Sequence, residues 1–151
     1  MQETPTPPAV PARTVVMKIP VEFGDCDPAR IVWFPNFFRW VDAASRNFFV
    51  ECGVPSWDEA ERIWGVNGTP LVDTQARFFN TATYGETLEI HTTVTEWRNK
   101  SFVHEHRVQR GETPIMTCIE IRVFSAPKAD GSRGIRAVPI PADIQRLCSQ
   151  Q

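Results

Sequence analysis

Asp27 stands in the run Glu22-Phe23-Gly24-Asp25-Cys26-Asp27-Pro28-Ala29-Arg30-Ile31-Val32-Trp33-Phe34-Pro35-Asn36-Phe37. The run reads as the end of a strand, an acidic loop and a helix that opens at Pro35, a residue suited to the first helical position. A helix start gathers unpaired backbone N–H groups and the positive end of the helix dipole. A carboxylate beside such donors can do acyl chemistry. It attacks a carbonyl or activates a water, while the N–H groups hold the developing oxyanion. Pro35 has no N–H, so the amide of Phe34 is the natural oxyanion donor. No Ser-His or Cys-His arrangement competes for the nucleophile's part. An enzyme is the leading reading, and an aspartate that merely caps a turn before Pro28 is the plain alternative.

Asp25, two residues earlier, raises the question of a metal-binding Asp-x-Asp. A hard cation needs several more oxygen ligands, and the neighbouring sequence supplies none, so no metal is expected. Cys26 lies between two carboxylates and reads as a packing residue rather than a nucleophile. Asp42 falls at the margin of the apolar stripe of the helix that follows. It could be a surface carboxylate paired with Arg39 or Arg46, at i−3 and i+4. Arg98, Lys100 and Ser101 sit where one strand ends and the next begins. They could be solvated hairpin residues or a local cradle for phosphate groups. His91, His104 and His106 alternate along strands with no metal-ligand spacing and are expected on exposed strand faces.

The elements that must position these groups follow from periodicity. Alternation from Met17 onward predicts a first strand over Thr14 to Phe23. A long helix runs from Pro35 to about Cys52 and ends at Gly53, with Phe34, Phe37, Phe38, Val41, Ser45, Phe48 and Cys52 on one face. A short helix over Ser56 to Trp64 is capped by Ser56 and closed by Gly65. Strands then follow over Leu71 to Phe79, Thr87 to Trp97, Phe102 to Arg110, Ile115 to Ala126 and Gly134 to Ile140, before a closing helix from Pro141 or Ala142 to Leu147. One long helix and a run of antiparallel strands make an α+β fold. A single sheet with one buried helix leaves an open edge and an incomplete pocket, so a homodimer is expected.

A chain of 151 residues with a net charge of −2 offers nothing global to recruit nucleic acid or an anionic membrane. An anionic small molecule would have to be met by a local cation cluster. Four scattered cysteines without a CxxC pair point to free thiols in a reducing cytoplasm. Residues 1–12, with prolines at 5, 7, 8 and 11, read as a disordered tail, and 13–151 as one domain.

The segment from Glu22 to Phe49 resembles the 4-hydroxybenzoyl-CoA thioesterases of the hotdog-fold superfamily, of the type whose catalytic aspartate precedes the central helix. The likeness continues through Cys52-Gly53, Gly68-Thr69-Pro70, Glu96 to Val103, Glu120 to Phe124 and Val138 to Asp143. The resemblance implies a sheet wrapped around the central helix, sites built at a dimer interface and usually a tetramer. It implies a cytoplasmic thioesterase acting on an aromatic acyl-CoA, with 4-hydroxybenzoyl-CoA as the best single substrate and no cofactor. Asp27 would be nucleophile or general base and Phe34 N–H the oxyanion donor. Asp42 would receive the 4-hydroxyl, Trp57 and Thr69 would complete the acyl pocket, and Arg98, Lys100 and Ser101 would hold CoA. The sequence departs from the family at Arg30, where the pattern has glycine, at Phe34, commonly tyrosine, and at Asn99, where an arginine is usual. Arg136 is a further possible CoA contact. Hydrolysis of another aroyl or short acyl thioester is the nearest rival reading. A non-catalytic acyl-CoA-binding module is the rival from another class, and a dehydratase lacks the histidine its site would need.

Overall fold

The computed structural model describes residues 12–149; residues 1–11, which hold nearly all of the Pro-rich stretch, lie outside it. The strands are β1 (Thr14–Pro20), β2 (Leu71–Phe78), β3 (Thr87–Trp97), β4 (Ser101–Arg110), β5 (Thr113–Pro127) and β6 (Ile135–Val138). The helices are α1 (Pro35–Glu51), α2 (Trp57–Trp64) and α3 (Ala142–Ser149). The strands form one antiparallel sheet in the order β1-β3-β4-β5-β2, with β6 pairing the end of β5.

The α1 helix lies against the sheet's inner face because it buries Phe37, Trp40, Val41, Ala44, Ser45, Phe48 and Phe49 on one stripe. The facing strands answer with alternate buried residues, among them Leu88, Ile90, Thr92 and Val94 on β3 and Phe102 and Val108 on β4. The apolar packing divides into two groups. Around the start of α1 are Phe37, Val41, Leu88, Ile90 and Met116; around its end are Phe48, Phe49, Phe102, Phe124 and Ile144. Truncating a fully buried ring such as Phe49 in such a core typically costs about 3–5 kcal/mol.

The fold is the expected α+β layout, with two local differences. The first strand stops at Pro20, and Phe23–Asp25 form a 3-10 turn in which Glu22 N–H donates to Asp25 Oδ2 at 2.9 Å. That reciprocal capping closes the turn and leaves Phe23 exposed. The last strand is shorter than expected because Pro139 and Pro141 follow it and have no N–H for a ladder. The second helix is capped as expected: Glu59 N–H donates to Ser56 Oγ, and Gly65 takes φ 75°.

β2 differs from the other strands. It forms one edge of the sheet and every residue in it is exposed, including Leu71, Val72 and Phe78. No helix among the described residues is long and apolar enough to cross a membrane.

Candidate active site

The Asp27 loop is pinned at its base by a bridge between Cys26 and Val32. Asp27 N–H donates to the Ile31 carbonyl at 2.9 Å, and Arg30 N–H donates to the Asp27 carbonyl at 2.8 Å. Ala29 N–H donates to Asp27 Oδ1 at 2.9 Å, an Asx turn that fixes the carboxylate. Oδ2 accepts no hydrogen bond from the described residues and remains available. Asp27, Phe23, Cys26, Pro28, Arg30 and Tyr84 line a hollow of about 380 Å3.

Asp25 is tied into the frame rather than the hollow. Its carbonyl accepts from Trp33 N–H and Asn36 Nδ2, and its carboxylate meets Glu22 N–H and Arg39. With Trp33, Asn36 and Phe37 amides all donating locally and Pro35 having none, Phe34 N–H has no backbone acceptor among the described residues. It lies on an apolar hollow of about 310 Å3 lined by Phe34, Phe37, Phe78, Phe79 and Ala82.

Asp42, Trp57 and Thr69 come together elsewhere, on a cavity of about 510 Å3 that Ser45, Arg46, Gly68 and Arg122 also line. Asp42 pairs with neither helix arginine. Arg122, from β5, donates through Nη2 to Asp42 Oδ1 at 2.8 Å. Arg39 instead meets Asp25, and Arg46 sits over the Trp57 ring at 4.8 Å while donating to the Pro55 carbonyl. Trp57 is partly a core residue, edge-on to Phe49 at 5.6 Å.

Under this cavity runs a buried polar chain that the sequence reading did not contain. Arg122 also holds Glu120 through two bonds, Nε to Oε1 at 3.2 Å and Nη2 to Oε2 at 2.7 Å. An ionised Glu120 can only accept, so His106 donates to it through Nε2 at 2.6 Å, and His106 Nδ1 meets Thr92 Oγ1 at 2.9 Å. Burial pushes the Glu120 carboxyl up, but bonds from His106 and Arg122 outweigh it and hold the group below the usual range. Burial likewise opposes the charge on Arg122, and Glu120 and Asp42 more than restore it.

The expectation of exposed histidines is corrected for two of the three. His104 and His106 are fully buried, and only His91 faces outward, beside Glu89. Alternation places both on the same side of β4 as Phe102 and Val108, and those apolar neighbours decide which side that is. A Ser-His contact also exists: Ser45 Oγ and His104 Nδ1 are 3.0 Å apart. Nothing among the described residues orients His104 Nε2, which has no partner, and Ser45 sits in mid-helix where its amide is engaged. The pair lacks the third group and the oxyanion donors that acyl chemistry requires. His104, His106 and Glu120 bring donor atoms within 4.8 Å of one another. Glu120 is already satisfied, and the adjacent Arg122 guanidinium opposes a second cation there.

Arg98, Lys100 and Ser101 occupy the β3–β4 hairpin tip, where Arg98 N–H donates to the Ser101 carbonyl. The Arg98 guanidinium is paired with Glu96 through two 3.1 Å bonds. This tip lies beside the end of β5, since Phe124 N–H donates to the Lys100 carbonyl. Arg136, on β6, pairs with Ala126 at the same end. The structure thus places Asp27 and Phe34 on two different hollows beside the start of α1, the Asp42 cavity about 12 Å further along the helix axis, and Arg98 and Lys100 at the β3–β4 tip.

The thioesterase-like superfamily matches residues 21–147. The chain belongs to the thioesterase-like superfamily. A 4-hydroxybenzoyl-CoA thioesterase from Pseudomonas sp. (strain CBS-3) is 50% identical over 144 residues, which cover 91% of this chain and 99% of that protein. The solved structure of that enzyme superposes with a TM-score of 0.84, at 46% identity over 91% of this chain and 100% of the other. A mutant 4-hydroxybenzoyl CoA thioesterase complexed with 4-hydroxybenzoyl CoA gives 0.85, at 46% identity over 91% of this chain and 100% of that one. A gentisyl-coenzyme A thioesterase gives a TM-score of 0.74 at 28% identity, covering 90% of this chain and 100% of that one. The fold of this superfamily member is the hotdog arrangement of its relatives, and the chain is a thioester hydrolase.

Proposed function

We propose that this thioesterase hydrolyses an aromatic acyl-CoA, with 4-hydroxybenzoyl-CoA the substrate its cavities suit best. The single observation that carries the reading is Asp27. Its carboxylate is fixed by Ala29 N–H through one oxygen, with the other available, close to a helix start whose Phe34 amide is uncommitted. In this reading the thioester carbonyl oxygen sits on Phe34 N–H. Either Asp27 attacks the carbonyl carbon and CoA departs as thiolate, leaving a mixed anhydride that water opens to the free acid and the restored carboxylate, or Asp27 removes a proton from a water that attacks the carbonyl directly. In both, the water's proton ends on the CoA thiol or the solvent. Asp42, Trp57 and Thr69 receive the aromatic ring and its hydroxyl. Arg98, Lys100 and Ser101 take the nucleotide end, with Arg98 leaving Glu96 to meet phosphate. Water is the second substrate, and neither cofactor nor metal takes part.

The active unit in this proposal is a homodimer, and β2 supports it. Antiparallel strands from two protomers pair head to tail about a twofold axis. Gly68, Thr69 and Pro70, on the acyl cavity, immediately precede β2; Phe79 to Ala82, on the Phe34 hollow, follow it. Pairing two β2 edges therefore sets the acyl cavity of one protomer against the Phe34 hollow of the other. One aromatic ring cannot span the two within a protomer, and across this interface it need not. Two such dimers make the proposed tetramer. Four free thiols among the described residues support a reducing, cytoplasmic setting.

Thiol release from a panel of aroyl- and alkyl-CoA esters tests the function. We expect turnover of 4-hydroxybenzoyl-CoA that falls at least ~100-fold in Asp27→Asn. Turnover untouched by that substitution would discard the mechanism; no turnover of any ester, with CoA still bound, would leave an acyl-CoA-binding protein.

A further inference from the structure

Asp42 is the exposed end of a polar chain whose other members are in the interior. Its side chain is 73% exposed, whereas those of Arg122 and Glu120 are 7% and 4% exposed. A carboxylate so exposed on a helix surface has free rotamers and would read a ligand poorly unless something fixed it. Arg122 is built to do so. Glu120 grips it through two bonds, His106 braces Glu120, and Arg122 Nη1 donates to the Thr69 carbonyl at 3.0 Å. The guanidinium plane is therefore set by three bonds to two partners, Glu120 and the Thr69 carbonyl, before it reaches Asp42.

We propose that Arg122 is a positioning residue for acyl selection, holding Asp42 and the Thr69 carbonyl as one wall of the cavity. The inference rests on the acyl-cavity reading above. With Oδ1 bound to Arg122, Asp42 offers Oδ2, which has no partner among the described residues. The Thr69 carbonyl keeps a second lone pair. Both groups accept and neither donates. The wall selects ring substituents that donate a hydrogen bond, hydroxyl or amino, over those that only accept or do neither. The other cation on this cavity, Arg46, is held against the Trp57 ring and by the Pro55 carbonyl through Nη2, while its buried Nη1 has no partner among the described residues.

The test compares kcat/KM for 4-hydroxy-, 4-amino-, 4-methoxy- and unsubstituted benzoyl-CoA. The native protein should favour the first two by at least ~10-fold, the scale set by leaving a polar site unpaired. Arg122→Lys keeps the charge and loses the fork. It should bring the four esters to within about threefold of one another while benzoyl-CoA turnover persists. A residue that served only to stabilise the fold would lower all four alike and leave the ratios intact, which overturns the proposal. Should Arg122→Lys fail to fold, Glu120→Gln loosens the brace from behind and should reduce the preference by roughly threefold or more; an unchanged preference there overturns it too. Equal rates on the 4-hydroxy and 4-methoxy esters in the native protein would do the same without any variant. No turnover of any ester would instead remove the acyl-cavity reading on which this one stands.

Discussion

At Arg30 the backbone takes φ 67°, a left-handed conformation that a side chain makes unfavourable by about 1 kcal/mol or more. The turn cannot relax, because Arg30 N–H donates to the Asp27 carbonyl and its own carbonyl accepts from Thr83 Oγ1 at 2.6 Å. The strain sits three residues from the carboxylate that the loop presents. Arg30→Gly should therefore raise stability by about 1 kcal/mol, read as a shift in denaturation midpoint at constant slope. A lower midpoint would mean that the arginine side chain makes contacts that outweigh the strain. Much at this scale was legible in sequence. The Asp27-to-Pro35 spacing alone placed a carboxylate near a helix start, and the resemblance marked position 30 as unusual. Arg122 was not legible as a partner of Asp42, because the two are 80 residues apart and only the register of β5 against α1 joins them.

β4 carries the clearest lesson at the level of elements. Its alternation was read correctly and its faces were reversed for the histidines, although Phe102 and Val108 have the same parity as His104 and His106 and belong in the core. β5 gives the same signal, with Met116, Cys118 and Phe124 in step with Glu120 and Arg122. Burial of His104, with the nearby His106 and Arg122 adding to it, holds its imidazole well below the usual range. The unfolded chain binds a proton at this residue near pH 6.5 and the folded one does not, so stability is full above that pH. It should fall as pH drops further, by roughly 1.4 kcal/mol per unit until the folded imidazole titrates. Denaturant titrations between pH 7.5 and 5.5 should show this slope in the native protein and a shallower one in His104→Gln. Identical slopes would assign the acid sensitivity to other groups. Ser45→Ala, which removes the hydroxyl bonded to His104, should leave turnover within about threefold, since no nucleophilic role attaches to it.

For the whole molecule, the exposed β2 edge is what a single chain leaves unfinished. The proposal of a partner comes from one sheet and one buried helix in the sequence. That β2 is the exposed edge was not legible there, because β2 follows α2 in sequence yet docks beside β5, a contact between distant segments. Leu71→Lys combined with Val72→Lys places like charges across a paired edge. Light scattering should then report a mass near that of the 17.1 kDa chain in place of a multiple of it, with hydrolysis lost alongside. Retained assembly would move the interface elsewhere. The position of β2 between the two hollows has a genetic consequence as well. Each catalytic centre would draw its aspartate from one gene copy and its ring-binding wall from the other. Two defective alleles, Asp27→Asn and Arg122→Lys, could then rescue one another in a mixed population. In every hybrid, one centre would combine both faults and the other would be wholly native. Equal co-expression should restore about a quarter of the native preference-dependent turnover, an amount that neither allele can supply alone.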